Sequence, residues 1–169
     1  MAVEIKIRVN IEAASKVYYL NGKDAAAGEV SMPVDVKYLD GGKGVVVTAS
    51  GVTTGDEFIA VNNEVFSRDL VAQPYRYILV DMDHSRAMEV STEQLRQIAN
   101  RHLTVSRQLP NLVIAVYAKD DLPFANARMW EVFVEGTGWD TRVFRMKSEA
   151  VAWIKKLVLA KFGVAVTLE

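Results

Sequence analysis

Two apolar runs constrain this chain more than anything else in it. Tyr77-Ile78-Leu79-Val80 and Leu112 to Tyr117 are continuous rather than alternating, the pattern of strands covered on both faces. Between them Ser91-Thr92-Glu93-Gln94 reads as a capping box. Leu95, Ile98, Ala99 and His102 then fall on one helical stripe. Strand, helix and strand in that order, with both strands covered on both faces, call for a parallel sheet joined by crossovers.

The pattern extends in both directions. Val34 to Leu39 and Val45 to Ala49 flank Asp40-Gly41-Gly42-Lys43-Gly44, which predicts a hairpin around a glycine-rich turn. Thr54-Gly55-Asp56-Glu57 is a second capping box, followed by Phe58, Val61 and Val65 at helical spacing. Beyond Tyr117, Pro123 suits the first turn of a helix running to about Glu135 and ending at Gly136-Thr137-Gly138. Trp139 to Arg145 predicts a last strand, and Ser148 to Phe162 a last helix with Val151, Ile154 and Val158 aligned. Leu168-Glu169 is assigned to no element. The expected fold is α/β: a mixed, mostly parallel sheet with an N-terminal antiparallel hairpin and about four helices. Those helices are expected to begin near Thr54, Ser91, Pro123 and Ser148.

Ahead of this unit, residues 3–11 place Val3, Ile5, Ile7, Val9 and Ile11 on one face and Glu4, Lys6, Arg8 and Asn10 on the other. That period of two predicts a half-buried strand. Lys16 to Leu20, closed by Asn21-Gly22, predicts a second. Residues 24–32 are small and weakly patterned and read as a linker. The chain therefore divides into a β arm with linker, 1–32, and a domain, 33–165. The arm's apolar face needs a cover and its backbone needs a partner. Both are met by a homodimer, or by a hairpin of the two arm strands packed on their own subunit.

The totals exclude several classes. A net charge of -1 offers no basic footprint for phosphate backbones, so nucleic acid is not expected as a partner. Absence of cysteine removes disulfides, thiolate metal sites and thiol nucleophiles, and fits a cytoplasmic location. The alternating N-terminus is unlike a signal peptide, and no stretch approaches the roughly 20 apolar residues of a membrane span. No cofactor motif is present and none is expected. With two histidines, a metal site is not expected either.

The stretches V-V-V-T-A-S-G-V-T-T-G-D-E-F (45–58), I-L-V-D-M-D (78–83), A-R-M-W-E-V (127–132), T-R-V-F-R (141–145) and Ala150-Val151-Ala152-Trp153-Ile154 together resemble the SpoIIAA-like family, relatives of the STAS domains. The resemblance covers roughly residues 34–160. It implies a bacterial, cytoplasmic, non-enzymatic module that binds a regulatory protein or a ligand, with a Sec14-like lipid carrier as a related possibility. In STAS antagonists a serine at the start of the helix after the third strand is phosphorylated, which breaks partner binding. With Asp81 set on that strand's aspartate, Val90 stands in the phosphorylated serine's place. Ser91 stands in the second serine's place and Thr92 in the glycine's. The resemblance therefore implies the fold without the switch residue.

Three constellations remain as candidates. Asp81-Met82-Asp83-His84-Ser85 spaces two aspartates as in the nucleophile loop of haloacid-dehalogenase-type phosphatases, which suggests magnesium-dependent phosphatase chemistry with Asp81 as nucleophile and Asp83 as acid/base. The plainer reading is that these residues end a strand and open a loop. Ligands of open α/β sheets favour the carboxyl ends of the strands, so Asp81, Asp83 and His84 with Lys119, Asp120 and Arg145 form a candidate polar rim, and Ser91 is a helix cap beside it. The helix from Pro123 carries apolar residues on two sides. Phe124, Ala125, Met129, Val132 and Phe133 form one, Ala127, Trp130 and Val134 the other, against a polar stripe of Arg128, Glu131 and Glu135. That excess suggests a small apolar ligand or a protein neighbour near Arg128, Met129 and Trp130, unless the helix 148–162 covers it. His102, on an apolar stripe, is expected as a hydrogen-bonded core histidine.

Overall fold

The computed structural model describes residues 6–7, 17–18 and 34–169. The chain forms a five-stranded sheet of β3 (Val34–Leu39), β4 (Gly44–Thr54), β5 (Tyr77–Glu89), β6 (Val113–Tyr117) and β7 (Asp140–Phe144), in that spatial order. β3 and β4 pair antiparallel across the turn at 40–42, and β4 to β7 are all parallel. Four helices complete the unit: α1 (Gly55–Val65), α2 (Thr92–Val105), α3 (Asp121–Phe133) and α4 (Lys147–Phe162). Of the expected arm, the described parts are β1 (Lys6–Ile7) and β2 (Val17–Tyr18), paired antiparallel, with β2 beside β3. The rest of the expected strands 3–11 and 16–20, and the linker 24–32, lie outside the described residues, and so does any arm-mediated dimer contact.

Sequential strand order explains the two apolar runs. Each crossover steps one strand in the same direction, so crossovers of one hand leave α1, α2 and α3 on a single face. α4 follows the last strand and covers the other. Ile78, Ile114 and Val116 accordingly pack with Phe58, Ile98 and Trp130 from the three helices. Their neighbours Tyr77, Leu79, Val113 and Ala115 pack with Ala150, Ile154 and Val158 of α4. Leu168 returns from beyond α4 into this second core.

Both capping boxes form as the sequence predicts. Thr54 and Glu57 exchange bonds at the start of α1, and Ser91 and Gln94 at the start of α2. The other two helices start slightly earlier than expected. α3 opens after Asp120, leaving Pro123 in its first turn, and α4 opens after Met146.

Two expectations need correction. Asp81 to Ser85 do not end a strand and open a loop; they lie inside β5, which continues to Glu89. β4 likewise runs on to Thr54 instead of stopping at Ala49 and supplies the pairing partner. Register shifts between Thr48 and Ser50 and between Gly51 and Val52 place extra residues in β5, and Gly51 takes a φ of 65° there. Such bulges tighten the twist and re-aim side chains. The charged, irregular stretch is thus a two-stranded ribbon that outruns β6. The second correction concerns α3. Its helix neighbour is α2, not α4, which lies across the sheet.

Candidate functional site

Between the sheet and α1, α2 and α3 lies a cavity of about 80 Å³. β5 forms its floor with Ile78, Met82 and Met88; α1 contributes Phe58 and Val61; α2 contributes Leu95 and Ile98; α3 contributes Ala127 and Trp130. The wall is almost wholly apolar because each of these elements presents its buried stripe to the same space. The polar side chains lining it are Asn62, His102 and Asn126.

Two of the three are committed to a chain of hydrogen bonds. Trp130 Nε1–H donates to His102 Nδ1 at 3.1 Å. Nδ1 is therefore an acceptor, so Nε2 carries the proton and donates to Asn62 Oδ1 at 2.5 Å. Asn62 Nδ2 in turn donates to the Phe58 carbonyl at 2.9 Å. Rings close around the histidine: Phe66 at 5.3 Å, Trp130 at 5.7 Å and Trp139 at 5.4 Å between centroids. Burial pushes the His102 pKa down to about 3, with Arg101 adding to the effect. The imidazole is neutral, as a hydrogen-bonded core histidine should be.

Asn126 is different. It is nine-tenths buried, and the one hydrogen bond its side chain makes among the described residues runs from Nδ2 to Met88 Sδ at 3.4 Å. A thioether is a weak acceptor, so most of this carboxamide's capacity is unused.

The aspartates read as a possible catalytic pair are on the other face. Asp81 pairs with Lys147 at 3.0 Å and accepts from the Asp83 backbone N–H at 3.0 Å. Asp83 accepts from Tyr117 Oη–H at 2.8 Å. Burial first, then the Asp83 contact, pushes the Tyr117 pKa up to about 12. Asp83, His84 and Asp120 meet with Ser50, Gly51, Ser85 and Arg86 around an open basin beside the β4–β5 ribbon, just past the carboxyl end of β6. Lys119 offers its carbonyl to Arg145 at 2.7 Å, and Arg145 also pairs with Asp121 and lies over Phe124.

The remaining candidates scatter. Ser91 caps α2. Arg128 is exposed and paired with Glu131. Met129 is exposed, whereas Trp130 is buried in the cavity wall. The two apolar sides of α3 thus part company. Ala127, Trp130 and Val134 enter the core; Leu122, Ala125, Met129 and Val132 form an outward stripe. Sequence reasoning singled out neither Asn62 nor Asn126. The signal available was an amide on an otherwise apolar helical stripe, which is hard to tell from a surface residue before the neighbouring elements are placed.

Against family models, curated proteins and solved structures, the chain has no match.

Proposed function

We propose that this chain is a non-enzymatic, ligand-binding module whose cavity between the sheet and α1 to α3 receives a small apolar molecule. The observation that carries the reading is the cavity itself: concave, apolar and furnished with a few convergent polar groups, the usual composition of small-molecule sites. The resemblance of the sequence to SpoIIAA-like proteins supports a binding rather than a catalytic role. So does the engagement of Asp81 with Lys147 and of Asp83 with Tyr117, since a nucleophile and its acid/base partner need to face the substrate. Size argues against a whole acyl chain. Apolar cavities that admit benzene are roughly 150 Å³, and this one is smaller. Met82 and Met88, unbranched and adaptable, supply the extra room for a one-ring guest.

Native mass spectrometry of freshly purified protein, with solvent extraction of the same sample, tests the reading. A co-purifying apolar molecule of about one-ring size is expected. A clean mass, joined to no response of the Met82 and Met88 methyl signals to added benzene, would end it.

A second reading, docking of a protein partner, is favoured by the outward stripe of α3. Leu122 and Val132 are each 57% exposed and Met129 38%. Burying such a stripe is a common reason for helices to associate. If a second copy of the chain covers it, light scattering gives a dimer mass and Met129→Glu returns a monomer. A monomer at high concentration removes the self-association form of this reading.

A further inference from the structure

Building on the proposed ligand-binding role, we infer that Asn126 is the polar anchor of the cavity and that the ligand class is a small apolar molecule carrying a single hydrogen-bonding group, phenol-like rather than a pure hydrocarbon. The cavity's other polar side chains are already engaged with one another. His102 uses one ring nitrogen on Trp130 and the other on Asn62. Asn62 uses its oxygen on His102 and its nitrogen on the Phe58 carbonyl. Trp130 spends its single donor on His102. A guest entering this space finds each of those groups engaged.

Asn126 is the exception. Its carboxamide brings two N–H donors and an acceptor oxygen, and one N–H is turned toward a sulfur at 3.4 Å. Amides with so much unused capacity are seldom buried, because the loss of water is left uncompensated. It sits on the inner side of α3 with Ala127 and Trp130, opposite Met88 of β5, and all four line the cavity. A hydroxyl or carbonyl group brought in by an apolar guest would take up the free donor or acceptor. The rest of the guest would meet Phe58, Met82 and Ile98. A charged guest is disfavoured, because the cavity walls offer no counter-ion and an unpaired charge is costly to bury.

The experiment uses the full chain with methyl-labelled methionine, titrated separately with phenol and with benzene. Met82 and Met88 report on the cavity. Met129 and Met146, at 38% and 56% exposure, report on non-specific contact. The readout is the ratio of the benzene to the phenol dissociation constant, in the wild type and in Asn126→Leu, a variant of the same branched shape without polar atoms. A single hydrogen bond predicts that the ratio falls roughly three- to tenfold in Asn126→Leu. If that variant does not fold, Asn126→Ala serves, and the same fall is expected. Equal ratios in wild type and variant, with both probes bound, would overturn the anchor while leaving the ligand-binding role standing. Failure of both probes to shift Met82 and Met88 would overturn both.

Discussion

Trp130 of α3 donates its indole N–H to His102 of α2 at 3.1 Å, and that bond decides which nitrogen of a buried imidazole carries the proton. Because Nδ1 accepts, Nε2 must donate, and Asn62 of α1 presents the oxygen that receives it. One chain of polar contacts thereby runs through all three helices. Trp130→Phe should expose the dependence. It leaves His102 Nδ1 without its donor in a ring of aromatic side chains and opens space beside the cavity. A loss of about 2–4 kcal/mol is expected from the unmet acceptor and the lost volume together. Urea unfolding at neutral pH measures it, and a loss within error would mean that the bond does not organise the helices.

The same histidine sets a pH dependence. Its pKa is about 3 in the folded chain against an ordinary 6.5. The unfolded chain therefore binds a proton that the folded chain refuses. Stability from this group is complete above pH 6.5 and is lost as pH falls toward 3, at a limiting rate of about 1.4 kcal/mol per pH unit. The window from pH 6.5 to 5 isolates it, because most carboxylates remain ionised there. Unfolding midpoints should fall across that window in the wild type and stay nearly level in His102→Gln. Matching slopes in the two proteins would show that His102 is not the group responsible.

What the sequence disclosed, and what it withheld, follows from the range of each interaction. The capping boxes at Thr54 and Ser91 are local, closed within three residues, and both form where the pattern placed them. The doubly covered runs at 77–80 and 112–117 also disclosed the layers, because helices on both faces leave no polar alternation. Asp81 to Ser85 misled, since their polarity mimics a loop while pairing with the far end of β4 keeps them extended. No local signal marks that pairing. Asn126 was illegible for a related reason: its significance lies in Met88, 38 residues away. Leu168 was illegible too. It is buried only because the tail folds back, and Thr167 meets Asp40 across 127 residues of chain.

Lys147 occupies the first turn of α4, where the helix dipole disfavours a cation. Its ammonium sits 3.0 Å from the Asp81 carboxylate, whose side chain is 9% exposed. The pair explains the placement. Lys147→Met should cost about 1–3 kcal/mol by leaving a buried carboxylate unpaired, a range reduced because Lys147 itself is nearly half exposed. Asp81→Asn in the same chain should recover most of that loss. A double-mutant cycle by denaturant unfolding gives the coupling directly, and additive single effects would mean that the contact contributes nothing.

Gly44 and Tyr77 face each other in the register of β4 and β5. A Cβ on Gly44 would stand 2.1 Å from Tyr77 Cζ, well inside contact distance. The ring has little freedom to retreat. It is fully buried, and its hydroxyl donates to Asp40 Oδ2 at 2.5 Å, a carboxylate that also accepts from Thr167. Glycine at 44 is therefore required by the tyrosine rather than by the backbone. Gly44→Ala should destabilise the protein by about 1–3 kcal/mol, the usual cost of overpacking. Tyr77→Leu is damaging alone because it vacates the space over the sheet and breaks the bond to Asp40. Combined with Gly44→Ala it removes the clash, so the double variant should be more stable than the sum of the single losses allows. Thermal unfolding of the four proteins tests this. Strict additivity would show that the strand pair absorbs the extra methyl by shifting, and that Tyr77 does not dictate the residue opposite it.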